Sequence, residues 1–127
     1  MSAGFSVGDE VYWGTNGAVE AYVDALAAQA ANRFGPDAPL AAFFRHERDE
    51  FFMGKVVFLE GWLADGPGRE RFLGLLDAAT EQLLREDAIS EYGREWIASV
   101  VAKLRARIAG EQRPAEAGAA PDPAARS

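Results

Sequence analysis

Gly54-Lys55-Val56-Val57-Phe58-Leu59-Glu60-Gly61 is the segment that decides the fold class of this chain. Its middle is rich in β-branched and aromatic side chains and is bounded by two glycines, which is typical of a short buried strand. We therefore predict a strand over Lys55–Leu59. Without this strand the chain would be predicted as an all-α bundle, which is the alternative fold.

A second strand is predicted upstream, at Asp9–Gly14, where the sequence Asp-Glu-Val-Tyr-Trp-Gly leads into the turn Thr15-Asn16-Gly17. Four helices are predicted from apolar side chains that recur every three or four residues. The first is predicted to begin with Asn16 as its N-cap and to stop at Gly35-Pro36, and the second to begin with Asp37 as its cap and Pro39 in its first turn. The third is predicted over Arg69–Glu86, after a loop at Asp65–Gly68. The fourth is predicted to begin at Ser90 or Gly93 and to end at Ala109, with Gly110 as its C-cap.

The predicted element order is β-α-α-β-α-α. With two helices between the strands, simple up-and-down packing returns the second strand antiparallel to the first. We expect a helix-dominated α+β fold, with about four helices packed against a minimal two-stranded sheet. Because two strands alone are marginally stable, the helices must cover one face of that sheet.

The length of 127 residues fits a single domain. We expect the globular body to span residues 9–110 and residues 1–8 to be a flexible N-terminus. Residues 111–127 hold only small, polar and charged side chains apart from proline. Such a segment cannot bury enough apolar surface to offset its ordering entropy, so a disordered Ala/Pro/Gly-rich tail is predicted there.

Charge indicates the kind of partner. Twenty acidic and 13 basic residues give a net charge of −7, and residues 1–32 contain no Lys or Arg. This balance disfavours nucleic acid as a partner and favours a protein with a basic surface. The chain has no run of roughly 20 apolar residues and no secretion signal, so we expect a cytoplasmic protein that does not enter a membrane.

The composition also limits which catalytic and metal-binding sites the chain can form. The chain has no cysteine and a single histidine, His46, whereas most nucleophile–base pairs and transition-metal sites use one of these residues. His46 and Glu50 could reach one ion from one helix face, but two ligands do not make a zinc site. The charged run around them is interpreted as a solvated face in which Arg45 pairs with Asp49. No cofactor, metal or catalytic residue is therefore assigned.

Two carboxylates leave another interpretation open. Glu60 follows a strand end beside Trp62, and Glu47 interrupts the apolar stripe of the second helix. If both carboxylates point into one aromatic pocket near Asn16, they could hold a small ligand or perform acid–base chemistry.

Two of the three tryptophans are candidates for a binding surface. Trp13 and Trp62 border glycines at element ends, where a large ring is often half exposed, whereas Trp96 lies on a helical stripe and is expected in the core. A half-exposed tryptophan on an acidic surface is typical of an interaction hot spot. The predicted partner-binding residues are Trp13, Asn16, Glu47, Asp49, Glu50, Glu60 and Trp62.

The leading hypothesis is a small, acidic, non-enzymatic protein-binding domain, such as an inhibitor or immunity-type protein that neutralises a basic partner. Homo-oligomer formation through the final helix is compatible with it. The alternative is a small ligand-binding domain or a carboxylate-dependent hydrolase or isomerase. A deep cleft in which two or more carboxylates point at a common position would favour the alternative.

Overall fold

The computed structural model describes residues 2–86 and 89–110, and it has the predicted helix-dominated α+β fold. Its sheet contains β1 (Ser2–Val7), β2 (Glu10–Thr15) and β3 (Val56–Phe58). Its helices are α1 (Asn16–Phe34), α2 (Pro39–Asp49), α3 (Gly66–Glu86) and a final helix, in which α4 (Glu91–Trp96), a π-helical turn (Ile97–Val101) and α5 (Ala102–Ala109) follow one another. A short 3₁₀ helix, Glu60–Leu63, joins β3 to α3. The tail predicted at 111–127 lies outside the described residues.

The sheet has three strands in the order β2-β1-β3 instead of the predicted two, and the additional strand β1 precedes the predicted element order β-α-α-β-α-α. β1 and β2 form an antiparallel hairpin whose turn includes Gly8 with a φ of 63°, and β3 runs parallel to β1. β3 therefore runs opposite to β2, as expected from two intervening helices, but the two do not pair. The N-terminal segment predicted to be flexible supplies the central strand.

The sequence patterns did not predict β1, because most of its side chains are small. A Cβ atom built on Gly4 would lie 2.8 Å from Val11 Cγ1 and 3.3 Å from Trp13 Cε3. Large side chains on the neighbouring strand therefore leave no room for one on the middle strand. The small residues that give residues 2–7 the composition of a loop are the ones that the centre of this sheet requires.

The hydrophobic core lies between the inner face of the sheet and the helices. α1 packs against both α2 and α3, and the fully buried Tyr22 in its middle makes edge-to-face contacts with Phe5 and Trp96 at centroid distances of 6.1 and 5.7 Å. The Tyr22 hydroxyl donates to the Leu76 carbonyl at 2.9 Å and contacts Thr80 Oγ1. The predicted apolar stripe of α1 is buried at Val19, Tyr22, Val23, Leu26, Ala27 and Ala30.

Several helix ends differ from the prediction. Thr15, not Asn16, caps α1 by accepting from the Ala18 N–H at 3.2 Å. α2 begins after Ala38 with no side-chain cap, so Asp37 does not have the predicted role. α3 begins at Gly66 rather than Arg69, and the first turn is closed by Asp65 Oδ1.

The final helix is closer to expectation. Ser90 accepts from the Gly93 N–H at 3.1 Å, and Gly110 ends the helix in the left-handed conformation with a φ of 80°. Trp96 is buried, as predicted, and its indole N–H donates to the Trp13 carbonyl at 2.8 Å. The final helix is thereby fastened to the outer edge of β2.

Candidate protein-binding site

The face of the sheet that points away from the helices is the candidate site. Side chains alternate between the two faces of a strand, and Phe5, Tyr12 and Val57 belong to the core. The residues between them therefore form the opposite surface. We call this surface the outer face and define it by Ser2, Gly4 and Ser6 on β1, Val11, Trp13 and Thr15 on β2, and Val56 and Phe58 on β3.

The outer face is apolar across its middle. Gly4 lies between Trp13 and Val56, and Ser6 lies between Val11 and Phe58. Small side chains on the central strand are thus flanked by larger ones on both outer strands. The Trp13 side chain is 49% exposed and the Phe58 side chain 64% exposed, so two aromatic rings stand at opposite edges of the same face.

The turn that leads into β3 carries two further exposed apolar side chains, and the ring of one of them, Phe52, lies 5.1 Å from Lys55 Nζ. Phe52 and Met53 are 60% and 68% exposed. This turn is held against the sheet by Asn16, whose Oδ1 accepts from the Gly54 N–H at 2.9 Å. Gly54 has a φ of 88°, a backbone conformation that residues with a Cβ rarely adopt, so the turn requires glycine at this position.

Acidic side chains lie at the end of the sheet where β3 leaves it. Asp9 is in the hairpin turn and Glu60 follows β3, and both are exposed. None of the eight outer-face residues is charged. On the helical side, Arg107 pairs with Glu10, whose carboxylate also accepts from the Tyr12 hydroxyl at 2.9 Å. The outer face therefore presents an apolar centre with acidic groups at one end.

On the inner side of the sheet, Tyr12 joins β2 to the final helix through Glu10, which pairs with Arg107. Burial, followed by the hydrogen bond to Glu10, raises the pKa of Tyr12 above its ordinary value. Its hydroxyl therefore stays protonated and donates to the carboxylate across the neutral range. This contact keeps Glu10 on the helical side of the sheet.

The structure places the seven predicted partner-binding residues in different regions. Trp13 lies on the outer face, and Asn16 supports it through the backbone of Gly54. Glu60 is exposed beyond the end of β3, and Glu50 is exposed at the C-cap of α2. Asp49 pairs with Arg48 at 3.1 Å, not with Arg45, which donates to the Pro36 carbonyl instead.

Glu47 has a clear structural partner. Its Oε1 lies 3.3 Å from Lys55 Nζ, and both side chains are mostly buried, at 14% and 12% exposure. The flaw in the apolar stripe of α2 is therefore one half of an ion pair that joins the helix to the residue preceding β3. Lys55 to Leu59 is an extended segment that spans roughly 13 Å, and Glu60 lies beyond it. Glu47 and Glu60 are thus at opposite ends of β3.

Trp62 belongs to another part of the surface. Its ring packs on Phe43 with a centroid distance of 5.3 Å, and it lines a half-open cavity of about 180 Å³. The cavity is bounded by Phe34, Ala38, Pro39, Leu40, Trp62 and Arg71. No carboxylate lines this cavity, so it does not bring Glu47 and Glu60 together.

Sequence reasoning missed Val11, Val56 and Phe58 as surface residues, as well as Phe52 and Met53. Val56-Val57-Phe58 was interpreted as a buried strand, and only alternation about Val57 could have indicated that its neighbours face outward. That inference needs the sheet to have one open face. The missing central strand concealed this arrangement.

Residues 2–86 and 89–110 show no arrangement typical of a metal site or of a membrane-spanning helix. No group of three or more acidic or histidine side chains in this part of the chain is arranged to hold a metal ion. None of its helices combines the length and the apolar character needed to cross a membrane. Comparison with protein-family models, curated proteins and solved structures found no significant match.

Proposed function

We propose that this protein is a non-enzymatic binding module that recognises another protein through the outer face of its sheet. The observation that carries the proposal is the concentration of exposed apolar groups there. Of the six large apolar side chains exposed in the described residues, four are Trp13, Phe52, Met53 and Phe58, on the sheet or in the turn before β3. A concentration of exposed aromatic and apolar side chains in one region is typical of an interaction site.

The partner is expected to carry a basic rim around an apolar contact. Asp9 and Glu60 lie at one end of the sheet, and the chain as a whole carries −7. Charges of opposite sign at the margin of an interface accelerate encounter and select among partners, while the apolar centre supplies most of the affinity. An inhibitor or immunity-type protein that neutralises a cationic enzyme fits this description, with the cytoplasm as its location.

The ligand-binding and hydrolase alternative has less support. It needs Glu47 and Glu60 in one pocket, whereas Glu47 faces Lys55 and Glu60 lies at the other end of β3. The half-open cavity beside Trp62 has an arginine at its margin and an apolar lining. Loss of turnover or of ligand-induced stabilisation in Glu60→Gln would revive this alternative.

Affinity capture with three forms of the protein tests the proposal. The baits are the wild type, Phe58→Ser and Tyr92→Ser, and the last is a matched control because Tyr92 is an aromatic side chain 48% exposed outside the sheet. We expect a basic protein that the wild type and Tyr92→Ser retain at low salt and Phe58→Ser loses. Recovery of the same proteins by all three baits would refute a role for the outer face. A cationic enzyme encoded beside this gene would be the first partner to test.

A further inference from the structure

The two edges of the sheet are unequal. At the β2 edge, the Trp13 carbonyl already accepts from the Trp96 indole, and the final helix packs beside the strand. At the β3 edge, only β1 among the described elements packs extensively against the strand. Within residues 2–86 and 89–110, β3 therefore has one side bonded to β1 and one side against which no other element packs extensively.

The hydrogen-bond register fixes which groups of β3 face this free side. The Gly4 N–H donates to the Lys55 carbonyl at 3.0 Å, and the Leu59 N–H donates to the Ser6 carbonyl at 3.0 Å. Successive residues of a strand direct their backbone groups to opposite edges, so Val56 and Phe58 point theirs away from β1. Each offers one N–H and one C=O to an incoming strand.

The usual protections of an edge strand are missing at these two positions. Natural edges are blunted by proline, by outward lysine or by a bulge, because unpaired backbone groups attract other strands. Here the two positions are valine and phenylalanine, and the adjacent Lys55 turns its ammonium towards Glu47 on the helical side. β3 is only three residues long, which limits edge pairing, but its apolar outward positions, without proline, an outward lysine or a bulge, form a template for strand addition.

The geometry points to an extended segment of a partner protein that adds to β3 as a fourth strand, with apolar residues alternating with Lys or Arg. This inference rests on the proposed function and specifies how the partner is held. Side chains on one side of the added strand would extend the outer face next to Val56 and Phe58. Those on the other side would lie towards the helices, with the exposed Glu60 at the end of β3 as the nearest acidic residue along the strand.

A second copy of this chain is a poorer occupant of the same edge. Each copy carries −7, and pairing two β3 strands would bring acidic groups of like sign together. Residues 111–127 of the chain are also a poor match, since they offer no bulky apolar side chain to place beside Phe58. A basic, alternating segment satisfies both the backbone groups and the surrounding charge.

Amide exchange with a peptide pool provides the test. The probe is a set of acetylated, amidated hexapeptides in which Lys or Arg alternates with Val, Ile, Phe or Tyr, and the controls have the same composition in blocks or carry Glu in place of the cations. We expect the alternating cationic peptides to slow exchange of the Val56 and Phe58 amides at least tenfold. The Val57 and Leu59 amides, which face β1, serve as internal references and should change little.

Backbone methylation of the best peptide separates strand addition from adhesion to the surface. N-methyl groups on one alternate set of residues should abolish binding, and N-methyl groups on the other set should leave it within about threefold. Equal binding of both methylated forms, or the absence of binding by every alternating peptide at millimolar concentration, would overturn strand addition. So would self-association of the protein alone with protection of the same two amides. The capture experiment with Phe58→Ser is independent of these outcomes, so the binding face can survive the loss of this inference.

Discussion

At the scale of residues, single side chains join the sheet to the helices. Trp96 is the best example, because its ring fills the space beside Gly14 and its N–H satisfies the Trp13 carbonyl at the β2 edge. The sequence predicted Trp96 as a core residue from helical spacing alone. Its partner could not be predicted, because the contact joins residues 83 positions apart through a sheet whose central strand was unassigned.

Gly14→Ala should destabilise the protein by about 1–3 kcal/mol, as overpacking of a core does. A Cβ atom at this position would lie 2.6 Å from Trp96 Nε1, so the indole must shift and its hydrogen bond must lengthen. Urea unfolding measures the change. Gly17→Ala is the matched control, because a Cβ at Gly17 meets nothing within 4 Å and alanine favours the first turn of α1. Equal losses in both variants would contradict the packing at Trp96.

Tyr22→Phe should lower stability by about 1 kcal/mol at neutral pH, because a buried hydroxyl loses its partners. Burial raises the pKa of Tyr22 above its ordinary value of 10.0. Above about pH 10 the unfolded chain therefore releases this proton while the folded chain keeps it, and stability falls by up to about 1.4 kcal/mol per pH unit.

The difference between the wild type and Tyr22→Phe should consequently shrink as the pH rises from about 9 to about 11. Denaturant titrations at several pH values provide the measurement. A difference that stays constant over this range would show that the Tyr22 hydroxyl is not buried as described.

At the scale of elements, the Glu47–Lys55 pair ties α2 to the start of β3. Both side chains are mostly buried, so each charge depends on the other for compensation. Sequence patterns placed α2 and β3 close to their observed positions, Pro39–Asp49 and Val56–Phe58, because periodicity is a local property. They could not show that Glu47 interrupts the apolar stripe to meet Lys55, since that requires the path of the intervening turn.

Glu47→Gln should destabilise the protein by about 2 kcal/mol, because Lys55 then retains a mostly buried charge without its counterion. The double variant Glu47→Leu with Lys55→Met should lie within about 1 kcal/mol of the wild type, since an apolar pair of similar volume replaces the ion pair. Thermal and urea unfolding of the three proteins distinguish these outcomes. A double variant that loses more stability than Glu47→Gln would contradict the expectation that an apolar pair can replace the ion pair.

β1 is the element that sequence reasoning could not supply. A central strand with glycine and serine facing outward has the composition of a loop, and its strand character is imposed by pairing with β2 and β3. Because β1 was not predicted, the outer face could not be predicted either. Trp13 was identified from its ring and its glycine neighbour, but Phe58 became visible as its counterpart only across β1.

At the scale of the whole molecule, charge and apolar surface are separated. The apolar outer face contains no charged residue, while the surrounding body carries most of the net charge of −7. We expect this distribution to affect the association and dissociation rates of a partner separately. If the proposed function is correct, we expect long-range attraction to set the association rate and contacts of Trp13 and Phe58 to set the dissociation rate.

The association rate constant for a cationic partner should therefore fall at least tenfold between about 20 mM and about 300 mM salt, as the Debye length shortens. Phe58→Ser should leave this salt dependence intact and raise the dissociation rate constant instead. Surface plasmon resonance at a series of salt concentrations measures both. A salt-independent association rate would contradict electrostatic steering.

Site-specific photo-cross-linking tests the central claim most directly. The photoreactive residue p-benzoylphenylalanine replaces Phe58 in one form of the protein and Tyr92 in another, and both are irradiated in the native cell. We predict a discrete adduct to a basic protein from position 58 that is absent from position 92. No adduct at position 58, or the same adducts from both positions, would contradict a binding function for the outer face.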